Sequence, residues 1–284
     1  MGVLLCKPGN GAWAEYEQKG VCLPCPLEWP CMPCASPECV ALCCQKSREC
    51  MCLSRTGWQV ITRMPCVPGV SSMQFSRCGR YLYQLSSEAD CLHTRSVAAG
   101  ELLYAAPVGV FPRSMRMDAA GKLLLCAGGA ANEALLFNAP DLTTARTINT
   151  RHPCIAADFW QEGLLLVCAA EGDDIQTVVC TLPYRALRPH KLLELPGPPA
   201  GCCVCPDGVS ALVSTRAGLS RIDLRSGALL WNRPEWALCM RLECQGERVL
   251  VSDTLDGSVI LMHLQQPWRQ QVVTKHMDSQ ACFL

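Results

Sequence analysis

Pro199, the turn Cys205-Pro206-Asp207-Gly208, the run Val209-Ser210-Ala211-Leu212-Val213-Ser214 and the segment Arg221-Ile222-Asp223-Leu224-Arg225-Ser226-Gly227 follow one another within residues 198–234. Laid without a gap on residues 29–65, this stretch repeats itself. Pro206-Asp207-Gly208 falls on Pro37-Glu38-Cys39, Val209-Ser210-Ala211-Leu212-Val213 on Val40-Ala41-Leu42-Cys43-Cys44, and Arg221-Ile222-Asp223 on Cys52-Leu53-Ser54. The same short turn returns at Arg77-Cys78-Gly79-Arg80, Ala119-Ala120-Gly121-Lys122, Gln161-Glu162-Gly163 and Cys244-Gln245-Gly246-Glu247, each time ahead of a β-rich run. Those runs include Tyr81-Leu82-Tyr83, Leu123-Leu124-Leu125, Leu164-Leu165-Leu166-Val167 and Val249-Leu250-Val251. A turn, an apolar strand, a polar loop and further short strands, four per unit, describe a propeller blade.

From Cys39 through Gly79, Gly121, Gly163 and Gly208 to Gly246 the markers lie 40, 42, 42, 45 and 38 residues apart. The 77 residues left between Gly246 and Cys39, counted through the chain ends, hold two more repeats of that length. The spacing predicts an all-β, seven-bladed propeller in a single domain, 1–284. Its units are 276–284 joined to 1–28, then 29–66, 67–110, 111–152, 153–197, 198–234 and 235–275. The C-terminal residues 279–284 should supply the innermost strand of a blade whose other three strands lie within 3–27, removing a pair of open sheet edges.

The blade pattern resembles the YncE-like group of YVTN, lactonase-type β-propellers. Pro199, Cys205-Pro206-Asp207-Gly208, Leu212-Val213-Ser214 and Arg221-Ile222-Asp223-Leu224-Arg225-Ser226-Gly227 carry the resemblance best. It implies a propeller across the whole chain and, through relatives similar to 6-phosphogluconolactonase, a lactonase as the enzymatic alternative. Tandem Trp-Asp signatures of WD40-like repeats are absent, and no motif transfers catalysis residue by residue.

Strand alternation places residues on a common face. Five positions ahead of each turn marker stand Cys34, Gln74, Arg116, Asp158, Cys203 and Arg241; the next position is apolar each time, and Phe283 in that series makes Cys282 the seventh member. These residues are expected to ring the central channel. Two guanidinium groups there suit a small anionic ligand, since a guanidinium grips carboxylate or phosphate as a fork. Arg116 and Asp158, on adjacent blades, equally suit a ring-stabilising ion pair. A lactonase would draw its catalytic groups from Arg116, Asp158, His152 and Arg241.

The 23 cysteines are an odd number in a chain long enough to bury its own core. The opening Met1-Gly2-Val3-Leu4-Leu5-Cys6-Lys7 lacks the apolar core of a secretory signal, so reduced thiols in a cytoplasmic protein are expected. Many replace Val or Ala in strands, as small buried hydrophobes. Cys22, Cys25, Cys31 and Cys34 have the spacing of a tetrathiolate metal site. The repeat opposes it, because Cys22 and Cys25 belong to an outer strand and Cys34 to an inner one, about 14 Å away. No cofactor is expected.

Lys and Arg number 25, as do Asp and Glu, so the net charge of zero gives no reason to expect nucleic acid. No apolar run approaches the length of a membrane span. Acids at Glu88, Asp90, Glu171, Asp173, Asp174, Asp253 and Asp256 read as turn chemistry, and the five histidines have no nucleophile at a meaningful spacing. Trp160 and Trp231 suit inter-blade packing, whereas Trp236 and Trp268 lie in connecting segments where a partner can reach them. The reading is a monomeric, non-catalytic binding or interaction scaffold, taking a protein or small ligand at a loop face or the channel mouth. A lactonase-like hydrolase and a thiol-ligated metal protein are the alternatives.

Overall fold

The computed structural model describes residues 2–7, 11–16, 19–22, 31–44, 47–172, 174–252, 258–268, 270–275 and 280–283, with backbone alone for those up to 31 and for 274, 275, 280, 281 and 283. The chain begins with β1 (Gly2–Lys7), β2 (Gly11–Tyr16) and β3 (Lys19–Cys22). The first contiguous blade follows as β4 (Cys31–Ala35), β5 (Cys39–Cys44), β6 (Glu49–Ser54) and β7 (Val60–Pro65). The second is β8 (Val70–Phe75), β9 (Tyr81–Ser86), β10 (Cys91–Ser96) and β11 (Leu102–Pro107). The third is β12 (Ser114–Met117), β13 (Leu123–Ala127), β14 (Glu133–Asn138) and β15 (Thr144–Asn149). β16 (Cys154–Trp160), β17 (Gly163–Ala170), β18 (Gln176–Pro183) and β19 (His190–Leu195) make the fourth. The fifth is β20 (Pro199–Val204), β21 (Ser210–Thr215), β22 (Gly218–Asp223) and β23 (Leu229–Arg233). The sixth is β24 (Arg241–Gln245), β25 (Arg248–Ser252), β26 (Ser258–His263) and β27 (Gln270–Lys275), and β28 (Gln280–Phe283) ends the chain.

Each blade is a four-stranded antiparallel meander. Six blades are contiguous in the chain; the seventh that the spacing predicts is not among them. The count of seven rests on a further four-stranded sheet, in the order β28-β1-β2-β3, assembled from both chain ends. Here Val3 pairs with Phe283, Leu4 with Cys282, Leu5 with Ala281 and Cys6 with Gln280. This closing sheet is described through its backbone, Cys282 apart.

The recurring turn has a backbone cause. Gly79, Gly121 and Gly208 have φ of 71°, 71° and 69°, and each donates its N–H to the residue three positions earlier, at 2.9, 3.0 and 2.9 Å. A left-handed residue closing the hairpin between the first two strands favours glycine. Gly163 departs from the pattern. It opens β17, and a Cβ there would run into the carbonyl of Leu182.

Burial changes steadily along each meander. The second strands β5 and β21 are buried throughout, packed on both faces; β5 accordingly reads as an unbroken apolar run, while β21 buries Ser210, Ser214 and Thr215 around its apolar centre. The outermost strands β7, β11 and β15 are mainly exposed. Apolar clusters fill the gaps between neighbouring blades. Met64, Val70, Phe75 and Leu82 join the first to the second, while Tyr83, Leu92, Leu124 and Phe137 join the second to the third. Burying each Leu or Phe contributes about 1.5–3 kcal/mol. Trp160 lies in the core between the fourth and fifth blades, and Trp231 packs against that between the fifth and sixth.

Two expectations need correction. Cys43 and Cys66 form a disulfide, so the thiols are not all reduced. Trp236 is buried, with the Arg233 guanidinium 4.6 Å from its ring, because the segment after β23 folds back onto the core instead of facing outward. Trp268 does stand exposed, at 67%. Among the described residues no helix is long and apolar enough to cross a membrane.

Candidate functional site

The first strands of the six blades, together with β28, wall a central cavity of about 620 Å³. Cys34, Gln74, Arg116, Asp158, Cys203, Arg241 and Cys282 all line it. Their common facing follows from equivalent register on equivalent strands.

Both guanidinium groups are committed to the ring. Arg116 on β12 donates from Nη2 to the carbonyls of Cys202 at 3.2 Å and Leu242 at 2.9 Å, reaching over the fourth blade to the fifth and sixth. Its Nε lies 3.7 Å from Asp158 Oδ2, a looser contact than either carbonyl bond. Asp158 itself accepts the N–H of Phe159 and that of Val204, each at 2.8 Å, and so holds the fourth blade to the fifth. Burial raises the Asp158 carboxyl above the usual carboxylate range, outweighing Arg116 and the two N–H donors. Arg241 donates to Pro33 O at 2.6 Å and pairs with Glu243 Oε1 at 3.0 Å. Burial opposes its charge, and the Glu243 carboxylate restores it with a net upward shift.

Gln74 differs from these. Its Oε1 is buried and has no hydrogen-bond partner among the described residues. The thiols of Cys34 and Cys202, which also line the cavity, are pushed up by burial and stay protonated.

His152 does not join this set. It lies between β15 and β16, its carbonyl accepts the Thr150 hydroxyl at 2.7 Å, and it does not line the cavity. The four groups named for a lactonase therefore do not converge. No histidine of the described residues lines the cavity. Cys25 lies outside the described residues, as do the side chains of Cys22 and Cys31; among the described residues no cluster of His, Cys, Asp or Glu is arranged to hold a metal. Of the loop acids, Asp173, Asp253 and Asp256 also lie outside the described residues. Asp90, in the turn before β10, accepts Phe111 N–H at 2.9 Å and so ties that turn to the segment after β11 instead of serving its own turn alone.

Two features went unread in the sequence. Glu243 lines the cavity beside Arg241, and the alternation Arg241-x-Glu243 on one strand was the available signal. Outside the cavity, Cys78 is exposed on its turn, with its thiol lowered to about 7 by the Ser76 hydroxyl and by Arg80.

Fold and cavity together define the class: an all-β propeller with four-stranded antiparallel blades. NirN, a dihydro-heme d1 dehydrogenase solved in complex with DHE, superposes with a TM-score of 0.63 at 19% identity, covering 89% of this chain. This chain spans 58% of that protein's length. The β-propeller domain of Cps50 (Swd1) from Myceliophteria thermophila superposes with a TM-score of 0.57 at 17% identity, covering 72% of this chain and 67% of that one. At such identities the likeness is one of fold. No family model matches the chain, the YncE-like group included, and no curated protein matches it.

Proposed function

We propose that the protein is a non-catalytic binding propeller of the cytoplasm, acting as a monomer, whose closing sheet completes a seven-bladed ring and whose central cavity takes a small ligand. Gln74 carries the reading: it lines the cavity, and its buried Oε1, which no donor among the described residues reaches, costs about 1–3 kcal/mol unless one is supplied. Arg116, Asp158 and Arg241 favour binding over turnover, because their polar atoms hold blades together instead of converging on a reacting atom. The fold likeness to a dehydrogenase solved in complex with DHE supports looking for a bound small molecule.

The test is native mass spectrometry of protein isolated without oxygen, compared with its denatured mass. A defined excess mass, lost in Gln74→Leu, is the expected result. A bare mass, together with no thermal shift from small carboxylates, phosphates or amides, would remove the cavity from the reading. Turnover of a phosphorylated sugar lactone that vanishes in an Arg116→Ala, Arg241→Ala double variant would replace the scaffold with a hydrolase.

A further inference from the structure

Arg113, the residue before β12, also lines the central cavity, and it is exposed. Arg116 and Arg241 commit their guanidinium groups to carbonyls and acids of neighbouring blades, whereas Arg113 makes no hydrogen bond or ion pair among the described residues. Its place in the fold fixes the end of the cavity it serves. The first strands of equivalent blades run the same way round a propeller, and Arg113, Ser71, Ile155, Ala200 and Met240 all stand beside the starts of such strands. They frame one mouth, at which Met240 is exposed.

The loop that carries Arg113 is pinned from three sides. Phe111 donates its N–H to Asp90 Oδ1 at 2.9 Å, Val110 O accepts the N–H of Ala130 at 2.7 Å, and Pro112 O accepts the Ser71 hydroxyl at 2.7 Å. Gly129 lies so close that a Cβ there would run into the Phe111 carbonyl. Held in this way, Phe111 has a φ of 54°, in the left-handed region that a bulky side chain rarely adopts, although at 58% exposure its ring gains little burial to offset the strain. Val110 beside it is exposed as well. The loop thus presents two apolar side chains and a free cation at the cavity mouth.

We propose that this mouth binds an amphipathic carboxylate, an aryl or alkyl acid, with Arg113 gripping the carboxylate and the exposed Val110–Phe111 segment taking the apolar part. The inference rests on the reading of the cavity as a ligand site and gives that ligand its class. One free guanidinium matches the two oxygens and single charge of a carboxylate; a phosphate dianion calls for a second free cation, and Arg116 and Arg241 are occupied. The acids of the neighbouring loop are placed elsewhere, Asp90 Oδ1 on Phe111 N–H and the Glu88 side chain against Gly69.

The test titrates the full chain with phenylacetate, and with phenylacetamide, acetate and inorganic phosphate as controls, by saturation-transfer NMR. Phenylacetate should bind saturably. Phenylacetamide, which lacks the charge, and acetate, which lacks the ring, should bind about tenfold more weakly or not at all, and Arg113→Gln should bring phenylacetate down to the level of the amide. Phe111→Asn should weaken phenylacetate several-fold yet melt no lower than the parent, because Asn tolerates a left-handed backbone. No binding of phenylacetate, equal binding of acid and amide, or full affinity in Arg113→Gln would each overturn the proposal. So would a Phe111→Asn variant that binds phenylacetate fully and melts below the parent, since the ring would then serve the fold. The cavity reading is judged apart from this: a native excess mass lost in Gln74→Leu, with no preference for the acid over the amide, would keep a ligand in the cavity and deny it this class.

Discussion

Arg241 donates from Nη2 to the carbonyl oxygen of Pro33 at 2.6 Å, although the two residues are 208 positions apart. One lies on β24 of the sixth blade and the other on β4 of the first, with the closing sheet β28-β1-β2-β3 packed between them. The bond is a staple over the place where the ring would open.

Replacing Arg241 with Met should remove that staple and take from Glu243 its neighbouring cation. The pair is partly exposed, at 18% and 25%, so solvent screening reduces the cost from that of a fully buried pair to about 2 kcal/mol. Thermal denaturation should show a fall of about 5 °C for a chain this long. Arg241→Lys keeps the charge but loses the fork, and should fall between the two. An unchanged melting temperature in the Met variant would mean that ring closure does not use this contact.

Deleting residues 279–284 should cost more than either substitution. The deletion removes β28, takes from β1 one of its two partners and exposes an unpaired strand edge. The truncated chain should melt below Arg241→Met and gain a tendency to aggregate on heating. Full-length melting behaviour in the truncated chain would show that the closing sheet adds nothing to the ring.

Much of this architecture is legible in the sequence because it rests on local rules. Gly79, Gly121 and Gly208 mark a hairpin that needs a left-handed residue, and strand alternation carries Gln74, Arg116 and Asp158 to one wall. The Cys43–Cys66 disulfide is not legible in the same way. It joins β5 to the residue after β7, across an intervening strand, so no short spacing announces it. Trp236 escapes for a related reason. Its place in a connecting segment suggests exposure, and only the return of that segment onto the core, under the Arg233 guanidinium, buries it. The orphaned oxygen of Gln74 depends on what its neighbours fail to offer, which one residue's identity cannot reveal.

Among the described residues, Cys78 should be the fastest thiol to alkylate. Its Sγ lies 3.4 Å from Ser76 Oγ, it is exposed, and with its thiol lowered to about 7 a large fraction is thiolate at neutral pH. Brief treatment with iodoacetamide at pH 7 should label Cys78 ahead of buried thiols such as Cys126 and Cys34, which burial keeps protonated. Ser76→Ala and Arg80→Ala should each slow labelling, since both side chains lower the thiol. Equal labelling rates in the parent and Ser76→Ala would show that the hydroxyl does not activate it.

His93 should make stability fall on mild acidification. Burial, and then the nearby Arg95 guanidinium, hold its imidazole below the ordinary value of 6.5; its Nδ1 is buried without a partner among the described residues, and Nε2 lies 3.4 Å from Cys91 Sγ. A depressed base binds protons more readily when the chain unfolds. Its contribution is therefore fully present above pH 6.5 and is lost as the pH falls from there through the folded value. The carboxylate of Asp207 acts in a separate, lower window. Burial raises it, but the Ser210 hydroxyl, two N–H groups and Arg221 bring it below 3.8 overall, so its stabilisation persists until the medium is strongly acidic. Urea denaturation of the parent at pH 7.5, 6.5 and 5.5 should show stability declining over the lower interval, and His93→Gln should flatten that decline. A decline of the same slope in His93→Gln would assign the acid sensitivity to another group.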